Sequence, residues 1–352
     1  DLRQPLLKDS WIDLPRMTIS IAKKNLAISQ YNLQLKMMQI VQSTQNAYYD
    51  LVAAEDNIKV QEKALELADR AYNNAKERVR VGTVQPLTEK SAQAALAGIR
   101  ADLLAAQRQR DFVENVLKSL LSDHFEAWHN VTVHPAEKLL AIPQTYNLQA
   151  SWLNGFTYRP DFNLARTEIE RQGIKLKFAQ NQMFPTLDIT ASIGRSSVDQ
   201  SLTGAFGDIS SGKDPEWSIG FVLNVPFTFA QERANVKIAR IQLQQLELTL
   251  QQLRESILVS IDDSVKQAQI AYERIIAQRE ARSYNEIALE AEMKRMEAGT
   301  VTSYEVLQFQ RDLTRSRGLE IQALADYNKA LAHLYFNEGT ILRRNGIELK
   351  VK

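Results

Sequence analysis

Four histidines and one reciprocal Thr/Glu pair are the residues of this chain whose spacing could do chemistry. His124, His129 and His134 recur at intervals of five, and imidazoles that converge can hold a transition metal. A spacing of five does not place them on one helical face, and no carboxylate motif frames them. With His333 they make no convincing metal site, and the first three read as part of a solvated loop. No nucleophile elbow, Walker loop, dinucleotide fingerprint or zinc motif stands in a supporting context. The chain is therefore expected to be no enzyme, with no catalytic residue, cofactor or metal. Thr302-x-x-Glu305 is a capping box, a signal that opens a helix.

The composition sets what such elements must build. The 352 residues carry 43 Lys and Arg against 42 Asp and Glu, a formal charge of +1, so no nucleic-acid footprint or polybasic membrane patch is implied. Only 13 Gly and 9 Pro interrupt a chain rich in Ala, Leu, Gln, Glu and Arg, which favours long helices. There is no Cys, and that fits an envelope compartment as well as the cytosol. No run of 18 apolar residues exists to make a spanning helix. A spanning β-barrel stays open, because its strands are short and half apolar.

The chain says nearly the same thing twice. Val81-Gly82-Thr83-Val84 returns as Ala298-Gly299-Thr300-Val301, a displacement of 217 (299 minus 82). In the same register Ile21-Ala22 matches Ile238-Ala239, Ile58 matches Ile275, Leu96 matches Leu313 and Leu117 matches Leu334. A gapless repeat of this length predicts a two-fold-repeated architecture.

Residues from about 16 to 80 and from about 233 to 298 hold no Pro or Gly and show apolar helical spacing. Leu250, Leu253, Ile257, Ile261, Ser264, Ala268, Ala271 and Ile275 step by threes and fours as a coiled-coil seam. Each rod would be about 100 Å long. Arg78 and Arg80, or Lys294 and Arg295, suit the negative end of the helix dipole, and Gly82 and Gly299 suit left-handed C-caps. Thr83 and Thr300 are expected to lie outside those caps. Pro86 and the Thr302 capping box start return helices at once, about 86–122 and 303–341, roughly 55 Å each. A helix from 160 to 183 adds about 36 Å, so the first rod is expected to pair with two short helices stacked end to end.

The resulting division is 1–15, the end of a β-hairpin and entry to a helix; 16–122, a helical hairpin with its turn at 81–85; and 123–159, an irregular segment. A short helix at 160–183 follows. Then come a β-hairpin at 184–230 with a Gly- and Ser-rich loop at 194–216, a second helical hairpin at 231–341 with its turn at 298–302, and a tail at 342–352. In the β-hairpin Leu187, Ile189 and Ile193, then Trp217, Ile219, Phe221 and Leu223, alternate with Asp188, Thr190, Ser218 and Asn224, which predicts one apolar and one polar face. Two such strands cannot make a stable sheet alone.

Taken in order, these features are similar to the TolC-type outer-membrane efflux protein family. The resemblance rests on Arg159-Pro160-Asp161, Asn181-Gln182-Met183-Phe184-Pro185-Thr186-Leu187, Trp217-Ser218-Ile219-Gly220 through Pro226-Phe227, the paired Gly-Thr turns, and Asn337-Glu338-Gly339-Thr340-Ile341-Leu342 before Asn345-Gly346-Ile347. It covers essentially the whole chain. It implies a mainly α fold with a small β part, in which tandem-repeat helical hairpins form a trimeric α-barrel tunnel through the periplasm and β-hairpins contribute to a shared transmembrane β-barrel in the outer membrane.

The same resemblance implies the function and its sites. The homotrimer would be the exit duct of a tripartite efflux pump or type I secretion system in a Gram-negative cell. It would conduct substrates passively, bind a periplasmic adaptor (membrane fusion) protein and, through it, serve an inner-membrane transporter. Val81, Gly82 and Thr83 with Ala298, Gly299 and Thr300 would be the adaptor-docking tips. Glu305 falls at the first acidic ring of a pore constriction, while Gln308 and Thr88 depart from the acidic pattern at matching positions. Leu187, Ile189, Ile193, Trp217, Ile219, Phe221 and Leu223 would face lipid. Pro5-Leu6-Leu7 sits near the register of Pro226-Phe227-Thr228, so the native protein is expected to extend upstream of Asp1. A soluble coiled-coil scaffold with an inserted β-hairpin is the alternative, against which the exposed Trp217, Phe221 and Phe227 weigh as an aggregation hazard.

Overall fold

The computed structural model describes residues 1–195 and 215–348. Its elements are β1 (Leu2–Pro5), α1 (Leu14–Arg80), α2 (Pro86–Leu121), α3 (Phe125–Trp128), α4 (Leu148–Tyr158), α5 (Pro160–Asn181), β2 (Thr186–Arg195), β3 (Pro215–Asn224), α6 (Ala230–Glu297), α7 (Ser303–Asn337) and α8 (Ile341–Arg344). The chain is mainly α with a small antiparallel sheet. It divides into two compact units: Asp1–Leu33 with the described residues of Pro160–Glu255, and Gln34–Arg159 with those from Ser256 onward. No helix among the described residues is long and apolar enough to cross a membrane. The expected loop over 194–216 lies outside the described residues except at its ends, where Gly194 and Arg195 belong to β2, and Pro215 and Glu216 to β3.

The first unit carries the sheet, ordered β1-β2-β3 with both pairings antiparallel. The chain leaves β1 through Asp9, which sits at φ 64, a conformation that Asp tolerates better than most residues. Asn181, almost fully buried, accepts the Asp9 N–H at 2.8 Å, and the Gln182 amide donates to the Asp9 carboxylate at 2.6 Å. The Asn181-Gln182 pair before β2 thus clamps the turn after β1. α5 is tied to α1 by Lys24–Glu170 at 2.6 Å and Arg171–Asn25 at 3.0 Å. It is tied to α6 by the buried Gln172 amide, which donates to the Ala239 carbonyl at 3.2 Å and to Gln242 at 3.0 Å.

In the second unit α1 packs on α2 through Ala47 and Leu51 against Val113 and Leu117, and through Ala64 and Ala68 against Leu96 and Ile99. α6 packs on α7 through Ile275 against Ala323 and Tyr327. The duplication survives in the packing. Leu96 and Leu313, Ala106 and Ala323, and Leu117 and Leu334 are buried at equivalent positions. The seam behaves as its spacing requires, with Ile257, Ile261, Ser264, Ala268 and Ile275 buried.

Each hairpin turns on the same cap. Gly82 and Gly299 stand at φ 75 and 77, where a Cβ would be strained. Gly82 N–H reaches the Val79 carbonyl and Thr83 N–H the Arg78 carbonyl; Gly299 and Thr300 repeat this on Met296 and Arg295. This is a Schellman motif. It corrects the expectation that the threonines lie outside the cap. The Thr83 and Thr300 hydroxyls also donate to the Arg78 and Arg295 carbonyls, at 2.9 and 3.0 Å.

The segment 123–159 is also corrected. It holds two helices, α3 and the eleven-residue α4. α4 is nucleated by Asn147, whose side chain accepts the Ala150 N–H, and ended by the Arg159-Pro160 break. Gly155 made this stretch read as a loop, but Gly155 is where α4 approaches α6: a Cβ there would come 2.7 Å from Ile261 Cδ1. Gly339, at φ 75, ends α7 with a third such cap, and a Cβ on it would lie 2.7 Å from the Arg159 nitrogen. The buried Glu338 carboxylate accepts Ser151 Oγ at 2.5 Å and Thr340 Oγ1 at 3.1 Å. The end of α7 is therefore bolted to α4, with α8 following.

Candidate functional site

Antiparallel register puts directly opposed residues on one face. Leu187 opposes Leu223, Ile189 opposes Phe221, Ala191 opposes Ile219 and Ile193 opposes Trp217. All seven expected lipid-facing residues therefore share a single face, and Leu2 of β1 joins it opposite Ala191. Ile193 is 82% exposed and Phe221 69%. Asp188, Thr190, Ser192, Ser218 and Asn224 occupy the other face. There Ser192 and Ser218 hydrogen-bond at 2.8 Å, and the buried Asp188 accepts two bonds from the Arg3 guanidinium, at 2.9 and 2.6 Å. Such a charge-assisted fork pins β1 to β2 on the polar side.

The two tips present Val81 and Ala298, with their Gly-Thr pairs, as exposed residues. Beyond the turns the two copies differ. α2 starts at Gln85 with no side-chain cap and Pro86 in its first turn, whereas Thr302 and Glu305 make the reciprocal capping box. Thr302 N–H donates to Glu305 Oε2 at 2.8 Å, and Glu305 N–H to Thr302 Oγ1 at 3.4 Å. Glu305 and Gln308, one turn apart on α7, are both exposed. Thr88 is half-buried on α2. It lines a cavity of about 290 Å³ between the hairpins with Val84, Val306, Leu307 and Gln310.

The histidines separate. His129 Nδ1 meets its neighbour Asn130, and His134 Nδ1 lies 3.1 Å from Glu55. Among the described residues no three His, Cys, Asp or Glu side chains gather as a metal set. His333 is held in α7 against Ser264 and Asn337, at 3.2 Å each, and burial pushes its pKa down.

Sequence reasoning missed a charge cluster on α2. Arg110, Glu114 and Lys118 follow at intervals of four and bond in series, Arg110 to Glu114 at 2.7 Å and Lys118 to Glu114 at 3.1 Å. Glu114 also accepts the Val133 N–H at 2.8 Å, and Lys118 reaches the His129 carbonyl at 3.4 Å. Burial raises the Glu114 pKa, but the Val133 N–H, the Lys118 ammonium and the Arg110 guanidinium outweigh it and hold the carboxyl below the usual range. The cluster fastens the strand-free segment after α3 onto the hairpin. Its i, i+4 spacing was the available signal, but that pattern usually marks a solvated face.

The profile of the outer membrane efflux protein family matches residues 15–122 and 157–340, which take in both helical hairpins, α5, β2 and β3. The chain belongs to the outer membrane efflux protein family. Cation efflux system protein CusC of Escherichia coli K12 is 23% identical over 292 residues, covering 83% of this chain and 61% of CusC. The chain thus spans about three fifths of the curated relatives it matches first. Among solved structures, a membrane protein from Pseudomonas aeruginosa superposes with a TM-score of 0.76 at 19% identity, over 96% of this chain and 75% of that one. The Campylobacter jejuni CmeC outer membrane channel does so with a TM-score of 0.74 at 18% identity, over 94% and 69%. At such identities the superpositions establish the fold that the family shares: long helices with a small antiparallel sheet.

Proposed function

We propose that this chain is the outer-membrane exit duct of an efflux or type I secretion machine, working as a homotrimer. The observation that carries the reading is the sheet. Its seven registered apolar side chains have no covering layer among the described residues of their unit, and a spanning barrel is the structure in which such a face needs none. In the trimer, neighbouring copies supply partners for the outer edges of β1 and β3, and lipid covers the apolar face. Helical hairpins of the second unit then form the periplasmic tunnel. Substrates pass without chemistry on this chain, and an adaptor bound at the Val81-Gly82-Thr83 and Ala298-Gly299-Thr300 tips opens it. Glu305 would contribute one carboxylate per copy to the entrance, with Gln308 and Thr88 adding none.

The test is reconstitution. The protein should fractionate with the outer membrane, run as a trimer in detergent and form discrete pores in planar bilayers. A protein that stays soluble and monodisperse after detergent removal, with no conductance, contradicts the reading and supports a soluble scaffold. Adaptor docking has its own probe. Arg at Val81 and Ala298 leaves the caps intact and adds a cation where the helix dipole favours one, so V81R/A298R should lose adaptor capture while its melting temperature is unchanged.

A further inference from the structure

The two copies of the repeat differ beside one cavity, and the difference leaves two polar groups of its lining unpaired. The cavity, about 290 Å³, lies within the second unit where α1 of the first hairpin meets α7 of the second. Its apolar wall is made by Ala71, Ala75, Val84, Met296, Val306 and Leu307. In the second copy Arg295 pairs with Glu292 at 2.6 Å. Displaced by 217, those positions are Arg78 and Ala75, and both line the cavity. Alanine in place of the glutamate has two effects. It opens space in the wall, where Ala75 is buried, and it removes the carboxylate that would neutralise Arg78. The neighbouring acid, Glu77, is held by Arg80, and Arg78 makes no ion pair among the described residues.

Gln310 is the second unpaired group. Its repeat equivalent, Gln93, is exposed, and Lys90 Nζ donates to its side-chain oxygen at 3.4 Å. Gln310 is only 8% exposed, and its Nε2 has no hydrogen-bond partner among the described residues. A buried donor left unpaired is costly, and an acceptor inside the cavity removes that cost. α1 ends and α7 begins at the tips, so Arg78 marks the outer end of the cavity and Gln310 the inner. Along α1 the cavity runs from Ala71 to Arg78, about 10 Å of helix.

We propose that this cavity binds an amphipathic organic anion with a flat apolar body of about two fused rings, a carboxylate for Arg78 and a second oxygen acceptor for Gln310. The volume sets the body: an apolar cavity of roughly 150 Å³ holds benzene, and this one is about twice that. The charge sets the outer end, because a guanidinium pairs best with a carboxylate through two parallel bonds. The unpaired amide sets the inner end. Such a ligand touches α1 and α7 together and so bridges the two hairpins. The site calls for neither a trimer nor an adaptor, so it stands or falls separately from the duct reading.

The probe is 6-hydroxy-2-naphthoate, two fused rings with an oxygen opposite the carboxylate. Equilibrium dialysis would use the purified protein in lipid nanodiscs, or in buffer if it proves soluble, with protein-free carrier subtracted. Saturable binding of one molecule per chain is expected. Arg78→Gln should weaken it about tenfold and leave 2-naphthol, which lacks the carboxylate, unchanged. Gln310→Met should also weaken it about tenfold and leave 2-naphthoate, which lacks the second oxygen, unchanged. Both variants should keep the melting temperature, since Thr83 holds the main-chain carbonyl of Arg78 and Met replaces an amide whose nitrogen is unpaired. Binding that ignores both substitutions, losses shared equally by all three probes, or no saturable binding by the wild type overturns the site.

Discussion

The seam of α6 and the hairpin of β2 and β3 use the same kind of side chain to opposite ends. Ile257, Ile261 and Ile275 are wholly buried in the second unit, whereas Ile219 and Phe221 of the first are more than two thirds exposed. Both sets obey the period of their element, 3.6 in the helix and 2 in the strand. What differs is the neighbour. The seam finds α7 or α4 within its own chain, and the sheet face finds none among the described residues. Periodicity therefore tells which residues share a face but not what covers it. For the sheet the covering medium is inferred from the exposed apolar face and from the family to which the chain belongs.

Substitutions can break that comparison or sharpen it. The largest effects belong to the helices. Ile261→Ala should cost about 3 kcal/mol in denaturant melts, from lost burial and the cavity left behind. Glu114→Gln should cost about 3 kcal/mol as well, because it leaves the buried Lys118 without its carboxylate. The Glu114 contribution also has a pH signature. Its folded pKa is depressed, so its stabilisation is complete above the unfolded value of about 4.3 and is lost as pH falls through the folded value. Amide exchange near Val133 should rise over that acid range in the wild type and stay flat across it in Glu114→Gln.

On the sheet the sign of the test changes. Phe221→Arg should cost about 2–4 kcal/mol if the residue lies near the bilayer midplane and should block membrane insertion. The same substitution would be nearly silent on a water-facing strand. Ser218→Ala on the opposite face should cost about 1 kcal/mol or less, the net worth of its bond to Ser192.

The smallest effects lie at Glu305. Glu305→Gln keeps a capping box, so thermal stability should hold. If the carboxylate lines the entrance, cation selectivity in planar bilayers should fall, since rings of charge set selectivity. Unchanged selectivity leaves Glu305 as a cap only. Glu305→Ala should add a loss of up to about 1 kcal/mol.

Much of this was legible in the sequence because it follows from local rules. The 217 register located both rods and both turns, and the period-two alternation located the strand faces. Gly82 and Gly299 announced left-handed caps, and Thr302 and Glu305 a capping box. What escaped depends on contacts far apart in the chain. Thr83 and Thr300 read as spare residues until the cap geometry placed their hydroxyls on Arg78 and Arg295. α4 was hidden because Gly155 reads as a loop signal, and only its approach to Ile261 explains it. The buried role of Glu114 needed the Val133 N–H, nineteen residues on.

The central claim is that the apolar face of the sheet meets lipid, and a spin-label scan tests it most directly. Single cysteines from Leu187 to Ile193, in a chain with none of its own, would be labelled with a nitroxide in outer-membrane vesicles. Collision with oxygen, which partitions into lipid, would be compared with collision with a water-soluble nickel chelate. The account predicts oxygen maxima at 187, 189, 191 and 193 and nickel maxima at 190 and 192. Nickel access at all of these positions, or no alternation of period two, would contradict it.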